Sequence, residues 1–290
     1  MDTALRSAIG AAVGADVTAA GRLSGGDVAE SYRVELADGR VVFAKTKAGA
    51  PAGFFTTEAA SLSWLRAAGG VAVPDVLAAD DGTAMSPNLL VLEWIEEGGR
   101  PTDATESTFG SELATLHRAG APCFGREDLR TSGSRGLPNR PHDAWAEFYA
   151  TQRLLPLVRI ARDERALPDR VLDDLEAVAG RLDVVGGDPE PPARLHGDLW
   201  AGNRLIDRDG RNWLIDPSAY GGHREFDLAM MRLFGGFGPA AFAAYDDAFP
   251  LSAGADERIA LHQIAPLVVH AVKFGGGYRE AAERAIATYR

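Results

Sequence analysis

The stretch His-Gly-Asp-Leu-Trp-Ala-Gly-Asn at positions 196–203, followed by Trp-Leu-Ile-Asp-Pro at 213–217, carries the strongest signal in the sequence. Asp198 and Asn203 share one short, glycine-containing loop, and an apolar strand delivers Asp216 at its end. Two carboxylates and an amide offer the hard oxygen ligands that suit Mg²⁺ bound together with phosphate oxygens. The alternative is a purely structural loop, since Asp, Asn and Gly favour turns.

The spacing within this loop points to phosphoryl transfer. The five-residue step from Asp198 to Asn203 matches the catalytic-loop spacing of kinases, which need a positioned hydroxyl, neutralised phosphates and a cation clamp. On this interpretation Asp198 accepts or orients the proton of the acceptor hydroxyl. Asn203 and Asp216 then hold magnesium ions, and the cofactors are ATP and Mg²⁺.

The amino-terminal region offers candidate nucleotide contacts. The sequence has three lysines, and Lys45 lies in the apolar strand Val-Val-Phe-Ala-Lys, where it is expected to contact phosphates and pair with Glu58. A strand-end lysine that reaches solvent is the alternative. The turn at Gly25 and Gly26 is a candidate for covering phosphates with backbone N–H groups. A hinge strand over 89–95 would present the backbones of Glu93 and Ile95 to adenine.

The order of elements predicts an α+β protein with two lobes. Residues 1–95 are strand-rich with one main helix, 94–100 form a hinge, and 96–290 are mostly helical. Strands are predicted at 17–23, 28–36, 40–46, 76–79 and 89–94. Helices are predicted at 54–68, 105–118, 142–161 and 168–182.

Composition limits the classes of function. The formal net charge of −11 argues against nucleic acid or an anionic membrane as the main partner. Cys123 is the only cysteine, which excludes an internal disulfide and any multi-cysteine metal site. Because no signal peptide and no run near the roughly 20 apolar residues of a membrane span are found, a cytoplasmic location is expected.

The quoted motifs, with Gly-His-Arg-Glu at 222–225 and Asp-Leu-Ala at 227–229, resemble the fructosamine (ketosamine-3) kinase family. The resemblance covers nearly the whole chain, although His-Gly-Asp with a later Asn is shared with aminoglycoside and choline kinases. It implies a protein-kinase-like fold and MgATP-dependent phosphorylation of the 3-hydroxyl of ketoamine sugars such as fructosamines or ribulosamines, a deglycation step. A small-molecule ketoamine acceptor and a monomer are expected.

Further residues are candidates for substrate or loop support. His223, Arg224 and Asp227 open a helix and are expected to form a polar network beneath the catalytic loop. Trp145 is expected in the core rather than at a sugar platform, and Trp200 lies inside the motif itself. Ala29 stands where the family usually carries asparagine.

Two other functions stay open at this point. One is an aminoglycoside or amino-alcohol kinase on the same fold, and the other is a nucleotide-binding scaffold without catalysis. Acceptor panels separate the first from a ketosamine kinase, and ATP binding without consumption would favour the second.

Overall fold

The amino-terminal part of the chain forms a five-stranded antiparallel sheet in the order β1-β2-β3-β5-β4. The computed structural model describes residues 1–24, 29–83, 86–133 and 135–290. The strands are β1 (Val17–Leu23), β2 (Glu30–Leu36), β3 (Val41–Thr46), β4 (Val76–Asp80) and β5 (Leu89–Glu93). All five lie where the sequence predicts a strand, with bounds that agree within one residue except at the start of β2.

The alternation of side chains along β3 positions Lys45. Val42 and Ala44 are buried against one side of the sheet, in a cluster that also contains Ile9. Successive side chains of a strand point to opposite faces, so Lys45 shares the other face with Phe43. The Lys45 side chain is also buried. Helix α2 (Phe54–Ala68), which carries Glu58, contributes to the cluster that includes Phe43 and Leu92.

Helix α1 (Thr3–Val13) was not predicted from the sequence, and it adds a shorter helix to the one main helix, α2, expected in this region. Asp2 accepts a hydrogen bond from the Leu5 backbone N–H at 2.8 Å and caps the helix. Gly14 ends it with φ of 73°, a left-handed conformation that favours glycine. The buried face of α1 consists of Leu5, Ile9 and Gly10, which is too little apolar side chain to give a clear helical period.

The remainder of the chain is mostly helical. Its longer helices are α3 (Asp103–Arg118), α5 (Leu155–Asp163), α6 (Asp169–Ala179), α8 (Glu225–Phe234), α9 (Pro239–Ala248), α10 (Ile259–Phe274) and α11 (Gly277–Ala287). Two short helices are α4 (Trp145–Tyr149) and α7 (Leu182–Val185). Among the described residues, no helix is both long and apolar enough to cross a membrane.

The segment predicted as one helix over 142–161 has three parts. Helix α4 begins at Trp145, a π-helical turn covers Ala150–Leu154, and α5 continues to Asp163. The helix predicted over 168–182 similarly ends at Ala179. A π turn adds one residue to a helical turn and occurs often at functional sites, and here it contains Arg153.

Four short strands hold the loop that carries the motif. β6 (Ala193–Leu195) pairs with β9 (Tyr220–Gly222), and β7 (Arg204–Ile206) pairs with β8 (Asn212–Leu214). A 3₁₀ turn at Ala201–Asn203 lies between them. Leu199 and Leu214 are fully buried in the same cluster as α2 and α3, so the motif loop is fixed to the core between the sheet and the helices.

Candidate active site

A cleft of about 1040 Å³ lies between the sheet and the helical region. Eight of the site residues predicted from the sequence line it, namely Lys45, Glu58, Glu93, Ile95, Asp198, Trp200, Asn203 and Asp216, and so does Ala29. Gly25 and Gly26 lie outside the described residues. The remaining four, Trp145, His223, Arg224 and Asp227, are not among the described residues that line the cleft.

Lys45 links the two sides of the cleft. Its Nζ donates to Glu58 Oε1 at 2.8 Å and also contacts Asp216 Oδ1. Burial lowers the pKa of Lys45, but the carboxylates of Glu58 and Asp216 outweigh that effect and hold the pKa above its usual value. Burial raises the pKa of Glu58, against the opposing charge of Lys45. The lysine is therefore a fixed cation, held by carboxylates from both sides.

Asp216 adopts an uncommon backbone conformation. Its φ is 54°, in the left-handed region that non-glycine residues rarely occupy. The residue before it is held in place, because the Ile215 backbone N–H donates to Asn203 O at 3.0 Å. His196 Nε2 lies 2.9 Å from Ile215 O and is the donor, because a carbonyl oxygen can only accept; burial lowers the pKa of His196. These bonds fix Asp216 next to the loop of Asp198.

Asp198 and Asn203 are bonded to each other across the loop. Asn203 Nδ2 donates to Asp198 O at 2.8 Å and to Asp198 Oδ2 at 3.3 Å. With its nitrogen engaged, Asn203 has its amide oxygen available for a cation. Burial raises the pKa of Asp198 to about 6, and the hydrogen bond from Asn203 only partly offsets it. A carboxylate that titrates close to neutrality is suited to accept a proton.

Asp227 supports this loop from below. Its two carboxylate oxygens accept hydrogen bonds from the backbone N–H groups of His196 at 2.7 Å and Gly197 at 2.9 Å. His117 Nε2 lies 3.3 Å from Asp227 Oδ2. Gly197 has φ of 79°, and a Cβ there would lie 2.3 Å from Ser218 O, so only glycine fits this turn. The expected support role of Asp227 thus has a geometric basis.

His223 and Arg224 contact residues outside the motif loop, and their expected support role stays a prediction. Arg224 donates to Glu190 at 2.7 and 2.8 Å. His223 stacks on His262 with ring centroids 5.1 Å apart. Ligand atoms of His223, Glu225 and His262 lie within 4.8 Å of one another.

This histidine cluster joins two helices. Arg258 donates to both oxygens of Glu225 at 2.9 and 2.6 Å, so the carboxylate charge between the histidines is already balanced. The cluster therefore ties α8 to α10 behind the cleft. Trp145 packs against both histidine rings at 6.0 and 5.8 Å and belongs to the core, as expected.

The hinge candidates lie at the edge of the cleft. The Glu93 N–H donates to Asp75 O at 2.9 Å, which leaves only its carbonyl as a possible contact for a base. Ile95 lines the same edge and is 9% exposed.

Sequence reasoning missed the residues on the far side of Asp198. Arg153 and Lys273 line the cleft there, together with rings from α8, α10 and α11. Lys273 is one of only three lysines in an arginine-rich chain, and that rarity was the available signal. Arg153 lies next to aromatic residues on a helix, a pattern that equally well describes the core.

Comparisons with known proteins agree with this geometry. A family model described as Fructosamine kinase matches residues 1–290. A protein of Synechocystis sp. named as a ketoamine kinase is 34% identical over 266 residues, which is 90% of this chain and 87% of the relative. A crystal structure from Thermobifida fusca that carries the name fructosamine-3-kinase is 40% identical, covers 100% of this chain and 99% of that one, and superposes with a TM-score of 0.90.

The fold is shared more widely than the sequence. The choline kinase LicA from Streptococcus pneumoniae is 16% identical, with 98% of this chain and 97% of that chain covered, and has a TM-score of 0.62. The expected α+β, bilobal, protein-kinase-like fold is confirmed, and the protein is an ATP-dependent kinase. The alternative of a scaffold without catalysis is therefore set aside. More narrowly, the chain belongs to the fructosamine kinase family.

Proposed function

We propose that this kinase transfers the γ-phosphoryl group of ATP to the 3-hydroxyl of a low-molecular-weight ketoamine, such as a fructosamine or ribulosamine. The observation that carries the proposal is the convergence of Asp198, Asn203, Asp216 and Lys45 in one cleft. Residues 1–95 would form the nucleotide-binding lobe and residues 96–290 the catalytic lobe, with a hinge at about 94–100.

In the proposed reaction Asp198 is the base. The acceptor hydroxyl oxygen forms a bond to the γ-phosphorus while the bond to the β,γ-bridging oxygen breaks, and ADP leaves with that electron pair. The hydroxyl proton passes to Asp198, whose pKa of about 6 makes it mostly ionised and a competent acceptor at neutral pH. Because the Asn203 bond orients the carboxylate, the base is positioned before the acceptor binds.

The donor set fits a magnesium-bound nucleotide. Asn203 Oδ1 and the carboxylate of Asp216 would hold Mg²⁺, which when bound neutralises and orients the phosphates. Lys45, now shared between Glu58 and Asp216, would keep Glu58 and exchange the Asp216 contact for nucleotide phosphate oxygens. Glu93 and Ile95 would meet adenine through their backbones, and Gly25 and Gly26 would cover the phosphates.

The test is turnover with a defined acceptor. Purified protein is incubated with MgATP and fructosyl-lysine or ribulosyl-lysine, and both ADP release and the phosphorylated position on the sugar are measured. Acceptor-dependent ADP with a 3-phosphate product is expected. Phosphorylation of choline or an aminoglycoside, with neither ketoamine consumed, would instead identify the chain as the other class of small-molecule kinase on this fold.

A further inference from the structure

The position of helix α2 decides whether Glu58 reaches Lys45. Glu58 lies in the first half of the helix, and its carboxylate accepts a hydrogen bond from Lys45 Nζ at 2.8 Å. In protein kinases such a lysine–glutamate pair must be in place for activity, and the position of the helix controls it. A group that fixes α2 against the rest of the active site would therefore act on catalysis without touching a substrate.

Arg126 contacts both α2 and the segment that follows Asp216. It is 6% exposed, and its Nη1 donates to Ser61 Oγ and to Ala219 O, each at 3.3 Å. Ser61 follows Glu58 by three residues, so the two side chains lie on the same side of α2, and both line the cleft. Ala219 lies three residues after Asp216, on the segment that leads into β9. One guanidinium group therefore connects the two segments whose carboxylates hold the lysine.

The side chain and the backbone of Arg126 are both held in place. Its Nε and Nη2 donate to the two carboxylate oxygens of Asp128 at 2.8 and 2.6 Å, a bidentate pair that leaves Nη1 for the contacts with α2 and β9. The Arg126 backbone N–H donates to Asn139 O at 2.8 Å. Gly125, just before it, exchanges two backbone hydrogen bonds with Gly221 of β9, at 2.8 and 2.9 Å. Arg126 is therefore preorganised for these contacts.

A second arginine attaches α2 through Trp64. The guanidinium carbons of Arg126 and Arg194 lie 5.2 and 4.5 Å from the centroid of the Trp64 ring. Arg194 also donates from Nη1 to Trp64 O at 2.6 Å and from Nε to Gly120 O at 3.2 Å. Because Arg194 lies in β6, two residues before His196, it joins α2 to the strand that leads into the catalytic loop.

Resting on the roles of Lys45 and Glu58 in the proposed function, we propose that Arg126 is a positioning residue for the nucleotide, because it holds α2 where Glu58 meets Lys45. Arg126 is not among the described residues that line the cleft, so it acts through Glu58 rather than by contact with a phosphate. The amino-terminal end of α2 is attached separately, since Asp81 accepts from the Phe55 N–H at 2.9 Å. With both parts attached, α2 cannot move away from the catalytic loop without breaking these contacts.

The test is a double-mutant cycle on kcat/KM for MgATP. Arg126→Met is expected to lower this value about tenfold, because Glu58 then orients Lys45 less well. In the Glu58→Gln background the same substitution is expected to change kcat/KM by less than about twofold. Arg211→Met is the matched control and should keep the wild-type value, since it removes an exposed arginine whose guanidinium carbon lies 4.6 Å from the centroid of the Trp213 ring. An equal loss in both backgrounds would show that Arg126 acts independently of Glu58 and would overturn the inference.

A second variant keeps the test decisive if Arg126→Met does not fold. Ser61→Ala removes only the hydroxyl that accepts from Arg126. Its control is Ser63→Ala, because the exposed Ser63 hydroxyl donates to Ala59 O at 2.9 Å within α2. We expect Ser61→Ala to lower kcat/KM for MgATP about threefold with the KM for the ketoamine unchanged, and Ser63→Ala to keep both values. Equal losses in the two serine variants, or an effect confined to the ketoamine, would contradict positioning through α2.

Nucleotide binding separates this inference from the proposed reaction. Titration calorimetry with MgADP measures Kd for the wild type, Arg126→Met, Glu58→Gln and the double variant, with no acceptor present. If no ketoamine is phosphorylated but Arg126→Met weakens binding only when Glu58 is present, the proposed acceptor is wrong and the role of Arg126 stands. If the two substitutions instead weaken MgADP binding independently, or if Glu58→Gln binds MgADP as the wild type does, the role of Arg126 is overturned.

Discussion

Replacing Asp198 with asparagine separates catalysis from folding. The amide introduced by Asp198→Asn would keep an oxygen that can accept the Asn203 Nδ2 bond of 3.3 Å, so the loop geometry should survive. That amide cannot accept the proton of the acceptor hydroxyl. The loss of a positioned base typically reduces turnover by about 10²–10⁴-fold, and we expect Asp198→Asn to fall within this range.

The same substitution should stabilise the fold at neutral pH. Burial raises the pKa of Asp198 from 3.8 to about 6, so the folded protein holds this proton more tightly than the unfolded chain. Below about pH 4 the Asp198 carboxyl is protonated in both states and does not reduce the free energy of unfolding. The reduction develops as the pH rises and is complete above about pH 6. Between pH 5 and pH 7.5 the difference between variant and wild type should grow by about 1 kcal/mol, on the order of 2 °C in unfolding temperature.

The assay measures ADP release at pH 7.5 and thermal unfolding at both pH values. Asp209→Asn serves as the matched control, because Asp209 is exposed in the turn between β7 and β8. The control should keep its activity and show no comparable change of stability with pH. Turnover in Asp198→Asn above a tenth of wild type, or an unfolding difference that does not depend on pH, would refute the reasoning.

The remaining predictions concern three groups around the loop. Lys45→Met should lower kcat/KM for MgATP about a hundredfold or more, because it removes a preorganised charge contact. Lys47→Met is the matched control, and an equal loss of kcat/KM in both variants would contradict the role assigned to Lys45. In wild type, with excess Mg²⁺, kcat/KM should fall as the pH drops through about 6, because Asp198 becomes protonated; a midpoint near 4 would argue against a raised pKa. Asp227→Asn should reduce the free energy of unfolding by about 2 kcal/mol, because the amide keeps one accepting oxygen and its nitrogen cannot accept from the second loop N–H group. Chemical denaturation measures this change, and unchanged stability would remove Asp227 from its support role.

The strands were readable from the sequence because runs of strand-forming residues and tight turns are local features. β1 at Val17–Leu23 and α2 at Phe54–Ala68 have the predicted bounds. The π turn at Ala150–Leu154 could not be read in this way. One additional residue in a helical turn hardly changes the apolar pattern, so 142–161 resembled a single helix. Helix α1 was missed because most of its side chains are small and few are buried.

The sequence by itself determined the groups around Asp198, because Asp198 and Asn203 lie five residues apart on one loop and Asp216 follows on the next short strand pair. Only the tertiary structure decided which distant residues join them. Lys45 meets Asp216 across 171 positions, and Asp227 meets the loop across 30. Arg153 and Lys273 line the same cleft only because helical segments far apart in the sequence pack together. Such contacts depend on how helices and strands pack in three dimensions, which a local sequence pattern does not specify.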